Sequence, residues 1–378
     1  MYKNRALSPN RNEEQDDFKM VGLKKRIVEC GSDYFDANGQ SPFSYIQNLL
    51  VVAEYEKSVL YLLQRHWLIS AVFLSFLMYA YGVISGSENV FVTSILRLLP
   101  HMTEKPTIPV HLIAFVKEPS VKMDLLVILL VNSPSAETEL VGNSGKGGVR
   151  NPGYFDKMKD IETDEVIKNA AVQLNMNNEW KRAVSLFKLC NNWDHAADIL
   201  ITKTAQNYLE HNSTWREVLS CIDEFDREIR CNSHKNVSLV NQHNLVVIQQ
   251  MMTILDLSNN NLFDECIHVL STIDFLPRSN DAQDVLSAVT ALRGVKEQLW
   301  RILVDVILAV CQCISFKYGQ FKQKLYVSVN EEEKKSLQQS MEQSRSRIAG
   351  YEQFVGMTGI PIPPAVNEKL TQIMISMA

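Results

Sequence analysis

The chain has 378 residues, of which 46% are hydrophobic and 21% charged, and its formal net charge is -5. This composition supports one long or two ordinary hydrophobic cores and excludes a chain that is disordered overall. This net charge gives no electrostatic case for direct nucleic-acid binding, which normally needs a concentrated basic face. The seven cysteines are odd in number and scattered through apolar patterns, which indicates reduced thiols.

The first part of the chain predicts a short leader followed by a block of helices. Residues 1–19 are polar and charged, so we expect a flexible leader without a signal peptide. Residues 20–132 predict an N-terminal helical block, with helices at 21–29, 43–53, 55–64, 90–99 and 121–131 and a further helix that begins at Trp67. Residues 133–153 are rich in Ser, Gly, Pro and Asn and predict a loop that separates this block from the next.

The helix that begins at Trp67 lies in a run with no charged residue up to Ser87. At ~1.5 Å per residue this run is long enough to cross the ~30 Å hydrocarbon core of a bilayer. Small and polar residues dilute it, however, and inner helices of a helical stack are also apolar on all sides. We therefore interpret the run as a buried helix and keep a single membrane span as the alternative.

Residues 154–378 predict a C-terminal helical block. Its predicted helices are 163–174, 179–190, 193–209, 214–231, 239–257, 262–273, 281–318, 330–354 and 364–377. Gly294 marks the point at which the long helix 281–318 would kink or break. The joints between these helices are short and polar, which places consecutive helices antiparallel and adjacent.

The stretch 179–210 illustrates the predicted architecture. Its two helices each carry one apolar face, for example Ala183 and Phe187 in the first and Ala197 and Leu200 in the second, and the pair Asn191-Asn192 forms a tight hinge. A lone hairpin cannot bury both faces, so it must stack on neighbours. Because no stretch has sustained strand alternation, the predicted fold class is all-α, an α-solenoid of stacked antiparallel helices.

The motifs that carry chemistry are incomplete. Residues 142–147 resemble a phosphate-binding loop at a glance, but that motif needs a glycine at the position of Leu140 and a hydroxyl residue at that of Gly147. We expect a flexible loop there. Cys311 and Cys313 have no matching second pair, and their spacing on a helix points the two thiols in different directions. We interpret them as two buried small side chains.

The histidines give no catalytic pattern. Asp264 and His268 have the spacing of a surface pair on one helix, and the adjacent Asp194 and His195 diverge. His101 and His111 flank a proline-rich turn region where exposure to solvent is expected. We therefore predict a non-enzymatic protein with no catalytic, cofactor-binding or metal-binding residues and no small-molecule substrate. No partner-binding residue is predicted, and Trp215 and Phe263 are interpreted as core residues.

Several stretches, taken in order, carry a resemblance to a known family. They are residues 29–35 (Glu-Cys-Gly-Ser-Asp-Tyr-Phe), 42–47 (Pro-Phe-Ser-Tyr-Ile-Gln), 53–62, Arg150-Asn151-Pro152-Gly153 with Asp156-Lys157, 183–189 and 354–374. Together they resemble the nucleoporin-interacting-component family, or nucleoporin 93 family, of scaffold nucleoporins. The likeness runs from about Cys30 to Ala378, and its specific signal is the collinear order of the stretches.

The resemblance implies a non-enzymatic α-solenoid in the inner ring of the nuclear pore complex, at the nuclear envelope of the nucleus. Its implied role is structural: it would support transport of protein and mRNA by holding other nucleoporins of inner-ring and linker types, with no membrane span. The likeness covers the C-terminal half of family members. Their long N-terminal region recruits channel nucleoporins, so that recruitment is not implied for this chain.

Two further hypotheses come from other classes. One is the helical protein anchored by a single span between Trp67 and Ser87. The other is a soluble helical-repeat adaptor of an assembly that resembles a vesicle coat, which shares the same stacking physics and differs in its partners.

Overall fold

A computed structural model describes residues 20–36, 41–83, 87–102, 105–145, 150–158, 160–231 and 236–377. The predicted leader, residues 1–19, lies outside them. The described residues form 18 α-helices and no strand, with one isolated bridge between Ser144 and Arg150. The prediction of an all-α solenoid is confirmed.

The chain divides into two compact units, Met1–Ala170 and Ala171–Ala378. The helices of the first unit are α1 (Met20–Phe35), α2 (Pro42–Val51), α3 (Tyr55–Gln64), α4 (Leu68–Ala80), α5 (Ser87–Leu98), α6 (Thr107–Ala114), α7 (Pro119–Asn132) and α8 (Glu137–Val141). The division falls within α9 (Thr163–Met176), whereas the sequence suggested a separation at residues 133–153.

The predicted loop 133–153 is partly helical. It begins with a 3-10 turn, Pro134–Ala136, and continues directly into α8. Leu140 and Val141 have no exposed surface, so burial of these two side chains anchors a segment whose polar composition suggested a loop.

The second unit contains the longest helices. They are α10 (Trp180–Leu189), α11 (Trp193–Leu209), α12 (Trp215–Cys231), α13 (Leu239–Asn259), α14 (Phe263–Leu270), α15 (Ala282–Leu292), α16 (Glu297–Val327), α17 (Glu331–Thr358) and α18 (Pro364–Met377). Helices α11, α13 and α16 pack against one another and form the centre of this unit.

The long helix predicted at 281–318 is two helices, α15 and α16, and the break lies at Gly294. The buried side chain of Asn244 satisfies the backbone there: its Nδ2 donates to the Gly294 carbonyl at 2.9 Å, and its Oδ1 accepts the N–H of Lys296 at 2.9 Å. The apolar periodicity continues across the break, which is why the pattern alone suggested one helix.

One turn geometry recurs between consecutive helices. In each case a residue of positive φ follows the helix end, and the next N–H donates to the carbonyl five residues earlier, the long-range bond of a Schellman motif. The positive-φ residues are Ala53, His66, Gly82, Asn178, Asn191, His211 and Asn261. The same backbone geometry therefore joins consecutive helices at these seven positions of the described residues.

The predicted hairpin at 179–210 is confirmed. Helices α10 and α11 meet at Asn191, whose φ is 56°, and the N–H of Asn192 donates to the Phe187 carbonyl at 2.8 Å. The predicted apolar faces are buried, including Ala183 on α10 and Ala197 on α11.

Candidate partner-binding site

An exposed apolar stripe lies along α4. Ile69, Phe73 and Leu77 recur every four residues on the helix, and Tyr81 continues the spacing at its C-cap, so the four lie along one side of α4. Their exposed fractions are 71%, 65%, 38% and 79%, in that order. No residue of α4 is charged. We refer to these four residues as the α4 stripe. A contiguous apolar surface of this kind is typical of a site that binds another protein.

The opposite face of α4 holds the helix in place. Ala71 and Ser75 are buried, and their small side chains allow close approach to the neighbouring helices α3 and α5. Tyr79 stacks on Phe91 of α5 with ring centroids 5.2 Å apart, and its hydroxyl accepts the N–H of Lys117 at 2.9 Å. The α4 stripe is therefore presented on a helix whose orientation is set by packing.

This arrangement corrects the interpretation of the charge-free run after Trp67 as a helix buried on all sides. One face is buried and the other is exposed. The run also does not form one long helix, because α4 ends at Ala80 and Gly82 adopts a φ of 62°. Its 13 residues span ~20 Å, shorter than the ~30 Å of a bilayer core.

Among the described residues, one helix is long and apolar enough to cross a membrane by length and composition, namely α16. Of its apolar stretch, 61% is buried inside the fold. A core helix passes the same test, so this helix is weak evidence for a span.

A second site surrounds Arg150, in a stretch that carries the family resemblance. Its guanidinium donates to the Val141 carbonyl at 2.6 Å and makes two bonds to Asp156, at 2.7 and 2.8 Å. The N–H of Gly153 donates to the same carboxylate at 2.6 Å. These bonds fasten the segment after residue 150 to the end of α8, so the role of this cluster is to fix the backbone.

Two glycines allow the segment after residue 150 to approach the end of α8 closely. A Cβ at Gly142, where φ is 82°, would lie 1.7 Å from the Asn151 carbonyl oxygen, and a Cβ at Gly153 would lie 2.4 Å from that of Leu140. The described part of 142–147 is thus held by neighbouring backbone, which corrects the expectation of a flexible loop. Lys146 and Gly147 lie outside the described residues.

The pair of Arg150 and Asp156 makes stability depend on pH. Burial acts to raise the pKa of Asp156, but the hydrogen bonds from Arg150 and Gly153 outweigh it, and the pKa is lowered. A carboxylate with a lowered pKa in the folded state stabilises the protein above the ordinary Asp pKa of ~3.9. This contribution is lost as the pH falls through the folded-state value.

We expect Asp156→Asn to lower the free energy of unfolding by about 1–2 kcal/mol at pH 7, because it removes a charge-assisted pair that is partly exposed. The difference from the parent should shrink as the pH falls below ~4. Urea titrations between pH 3 and 7 measure both effects. Asp164→Asn is the matched control: Asp164 contacts the same guanidinium at 3.3 Å but is mostly exposed, so a loss of at most ~0.5 kcal/mol is expected. Equal losses for the two variants would contradict this account.

The candidate chemical residues do not come together as a reactive site. Asp264 pairs with Lys317. Asp194 accepts bonds from the Ser238 N–H and from Asn241. His101, His111 and His268 are exposed, and His195 contacts the Asn192 side chain at 2.8 Å. No group of three or more potential metal ligands occurs in the part of the chain that the structure describes.

The interpretation of Trp215 and Phe263 as core residues is wrong, because both are half-buried. Trp215 lies edge-on to Tyr208, and Phe263 packs on Phe316 with ring centroids 4.5 Å apart. Cys311 and Cys313 are buried, as expected.

The α4 stripe was not predicted. Its signal is present in the sequence, since four large apolar residues recur at a spacing of four within a charge-free run. Periodicity does not say which face of such a helix is exposed, because both faces are apolar.

Stacked helices, several of them joined by one recurrent turn, define an α-solenoid protein with an exposed apolar stripe. Comparison with known proteins identifies the family. The family model described as Nup93/Nic96 matches residues 3–117 and 106–369, so the chain belongs to the Nup93/Nic96 family. The resemblance expected from the collinear stretches is confirmed.

Two known proteins show how far the likeness extends along the chain. The nuclear pore complex protein Nup93 of Danio rerio is 22% identical over 339 residues, which cover 82% of this chain and 41% of that protein. The crystal structure of the Chaetomium thermophilum Nic96 SOL matches with a TM-score of 0.62 at 13% identity, over 97% of this chain and 62% of that one. The chain thus spans less than half of the Danio rerio relative, and the structural match supports the fold.

The chain therefore belongs to a family of scaffold nucleoporins of the nuclear pore complex, a class found at the nuclear envelope. The family is structural and is not a family of enzymes.

Proposed function

We propose that the chain is a structural subunit of the inner ring of the nuclear pore complex. It supports transport of protein and mRNA by holding other nucleoporins, of inner-ring and linker types, in place. Membership of the Nup93/Nic96 family and the stacked-helix fold support this proposal. Chemistry is not required for this role: rigid helices need only present surfaces at fixed positions.

The observation that carries the proposal is the α4 stripe. Its occupant is the apolar face of a helix from another scaffold nucleoporin, because α4 is uncharged and offers no charge for an acidic or basic partner to match. Side chains four residues apart form a ridge with a repeat of ~6 Å, which fits the groove of a facing helix. From Ile69 to Tyr81 the ridge extends ~18 Å, enough for about three turns of a partner helix.

Phe73→Glu tests the stripe directly. Phe73 lies near its middle and is 65% exposed, so the substitution places a charge in the interface without disturbing the core. We expect affinity purification of the tagged full chain, followed by quantitative mass spectrometry, to recover inner-ring and linker nucleoporins with the parent. Phe73→Glu should recover at least ~10-fold less of one or more of them.

Leu286→Glu is the matched control, because Leu286 on α15 is also an exposed apolar residue, at 51%, and lies in the second unit. It should leave recovery unchanged, and both variants should keep the parent circular dichroism spectrum. Equal nucleoporin recovery with Phe73→Glu and the parent would contradict the stripe as a docking site. Recovery of vesicle-coat subunits without nucleoporins would contradict the proposed function as a whole. The occupant would be a membrane if the parent floated with lipid vesicles, Phe73→Glu abolished that flotation, and nucleoporin recovery stayed intact.

A further inference from the structure

Two buried thiols meet between α14 and α16. The Sγ atoms of Cys266 and Cys313 are 3.4 Å apart, although the residues are 47 positions apart in the chain. Neither residue has exposed surface, and both are free thiols. The sulfurs would have to approach by a further ~1.4 Å to reach the ~2.0 Å of a disulfide bond. A small movement of the two helices or of the side chains can supply such an approach.

The surroundings distinguish the two sulfurs. The hydrogen bond between them lowers the pKa of Cys313 and raises that of Cys266. Ser258 Oγ lies 3.7 Å from the Cys313 sulfur and further favours its thiolate. The positive charge of Arg347 acts to lower the pKa of Cys266, but the hydrogen bond with Cys313 and burial outweigh it. Cys311 lies two residues from Cys313, but burial raises its pKa to about 12. Because the thiolate is the reactive form, Cys313 is favoured over Cys311 as a nucleophile.

A groove lies beside this contact, although neither cysteine lines it. It has a volume of about 580 Å³ and lies among α14, α16 and α17. Ile267 and Ile314, the chain neighbours of the two cysteines, line it together with Arg347. A hydroperoxide is small enough for a groove of this size, and a brief separation of the helices would bring it to the sulfurs.

We propose that Cys266 and Cys313 form a redox-sensitive site, in which a hydroperoxide oxidant converts the two thiols into a disulfide that joins α14 to α16. The site is independent of the proposed scaffold function and of the α4 stripe. Under reducing conditions it remains the dithiol of the present structure.

The two thiols are oxidised to the disulfide in two steps. The Cys313 thiolate attacks one oxygen of hydrogen peroxide; the O–O bond breaks, a sulfenic acid forms on Cys313, and the leaving hydroxide takes a proton to become water. The Cys266 sulfur then attacks the Cys313 sulfur. The S–S bond forms, the S–O bond breaks, and the hydroxide leaves as water with the proton of Cys266. Two electrons pass from the thiols to the peroxide, and a dithiol reductant reverses the change.

Peptide mapping of the full-length parent tests the site without any substitution. The protein is treated with hydrogen peroxide, remaining thiols are alkylated, and the digest is analysed by mass spectrometry without reduction. We expect a peptide linked through Cys266 and Cys313 as the main product of these two residues. Dithiothreitol should remove the link, and Cys311 should be recovered alkylated. The exposed residues Cys30 and Cys231 serve as internal indicators of the oxidant dose.

Thermal melts with matched variants complete the test. The oxidised parent should melt several degrees above the reduced parent, because the link constrains the unfolded chain. Cys266→Ser should lose both the link and the shift, whereas Cys311→Ser should keep both. Recovery of Cys266 and Cys313 as free thiols at a dose that fully oxidises Cys30 and Cys231 would overturn the proposal. A disulfide from either residue to a different cysteine would also overturn it.

Discussion

Replacing Ala197 with Asp is expected to unfold the second compact unit. Ala197 has no exposed surface and lies on α11, which packs against α10, α12, α13 and α16. Its neighbours on the same helix, such as Leu200 and Ile201, are buried as well. A carboxylate there must lose its hydration or force the helices apart. We expect a loss of about 4 kcal/mol or more in the free energy of unfolding, measured by urea titration followed by circular dichroism.

Gln206→Asp is the matched control for Ala197→Asp. Gln206 is an exposed residue of the same helix, so the same new charge remains in water and should cost no more than ~0.5 kcal/mol. If Ala197→Asp melted like the parent, the packing of α11 and the register of the hairpin would be wrong.

Gly142→Ala is expected to have an effect of similar size in the first unit. A Cβ there would lie 1.7 Å from the Asn151 carbonyl oxygen, and φ is 82°. The obstacle is backbone, so no flexible side chain can move aside. The segment around Arg150 must shift and lose the bonds that join it to α8. We expect a loss of at least ~3 kcal/mol, measured by urea titration, and faster proteolysis near residue 150.

Gly319→Ala separates this effect from glycine replacement in general. Gly319 lies inside α16, and a Cβ at that position meets no atom within 4 Å. The variant should be more stable than the parent by ~0.5–1 kcal/mol, because alanine is the better helix former. Gly142→Ala with parental stability would mean that the approach of residues 142 and 151 is not as described.

The helices of the second unit were largely predictable because their apolar residues follow one period and their joints carry short polar turns. The hinge at Asn191 shows why, since asparagine tolerates positive φ better than most residues and marks the turn. Ala53 adopts the same conformation without such a marker, so the recurrent turn was visible at some joints and hidden at others. Gly294 marked the place of the break in the long helix, but the hydrogen bonds that Asn244 makes there come from 50 residues away and have no local signal.

The candidate sites were less predictable for physical reasons. The α4 stripe lies in a run in which every face is apolar. The neighbouring helices decide which side is exposed, and the periodicity of a single helix carries no information about them. Gly142 and Gly153 matter because the backbones of Asn151 and Leu140 lie close to them. The composition of this segment indicated only a glycine-rich loop. Cys266 and Cys313 meet only through the packing of α14 on α16.

The central claim, that this chain is a scaffold nucleoporin at the nuclear pore, is tested most directly by its location in cells. The full chain carries a fluorescent tag and is imaged together with a marker nucleoporin. We expect a punctate rim at the nuclear envelope that coincides with the marker. Diffuse fluorescence in the cytosol, with the chain folded and intact, would contradict the claim.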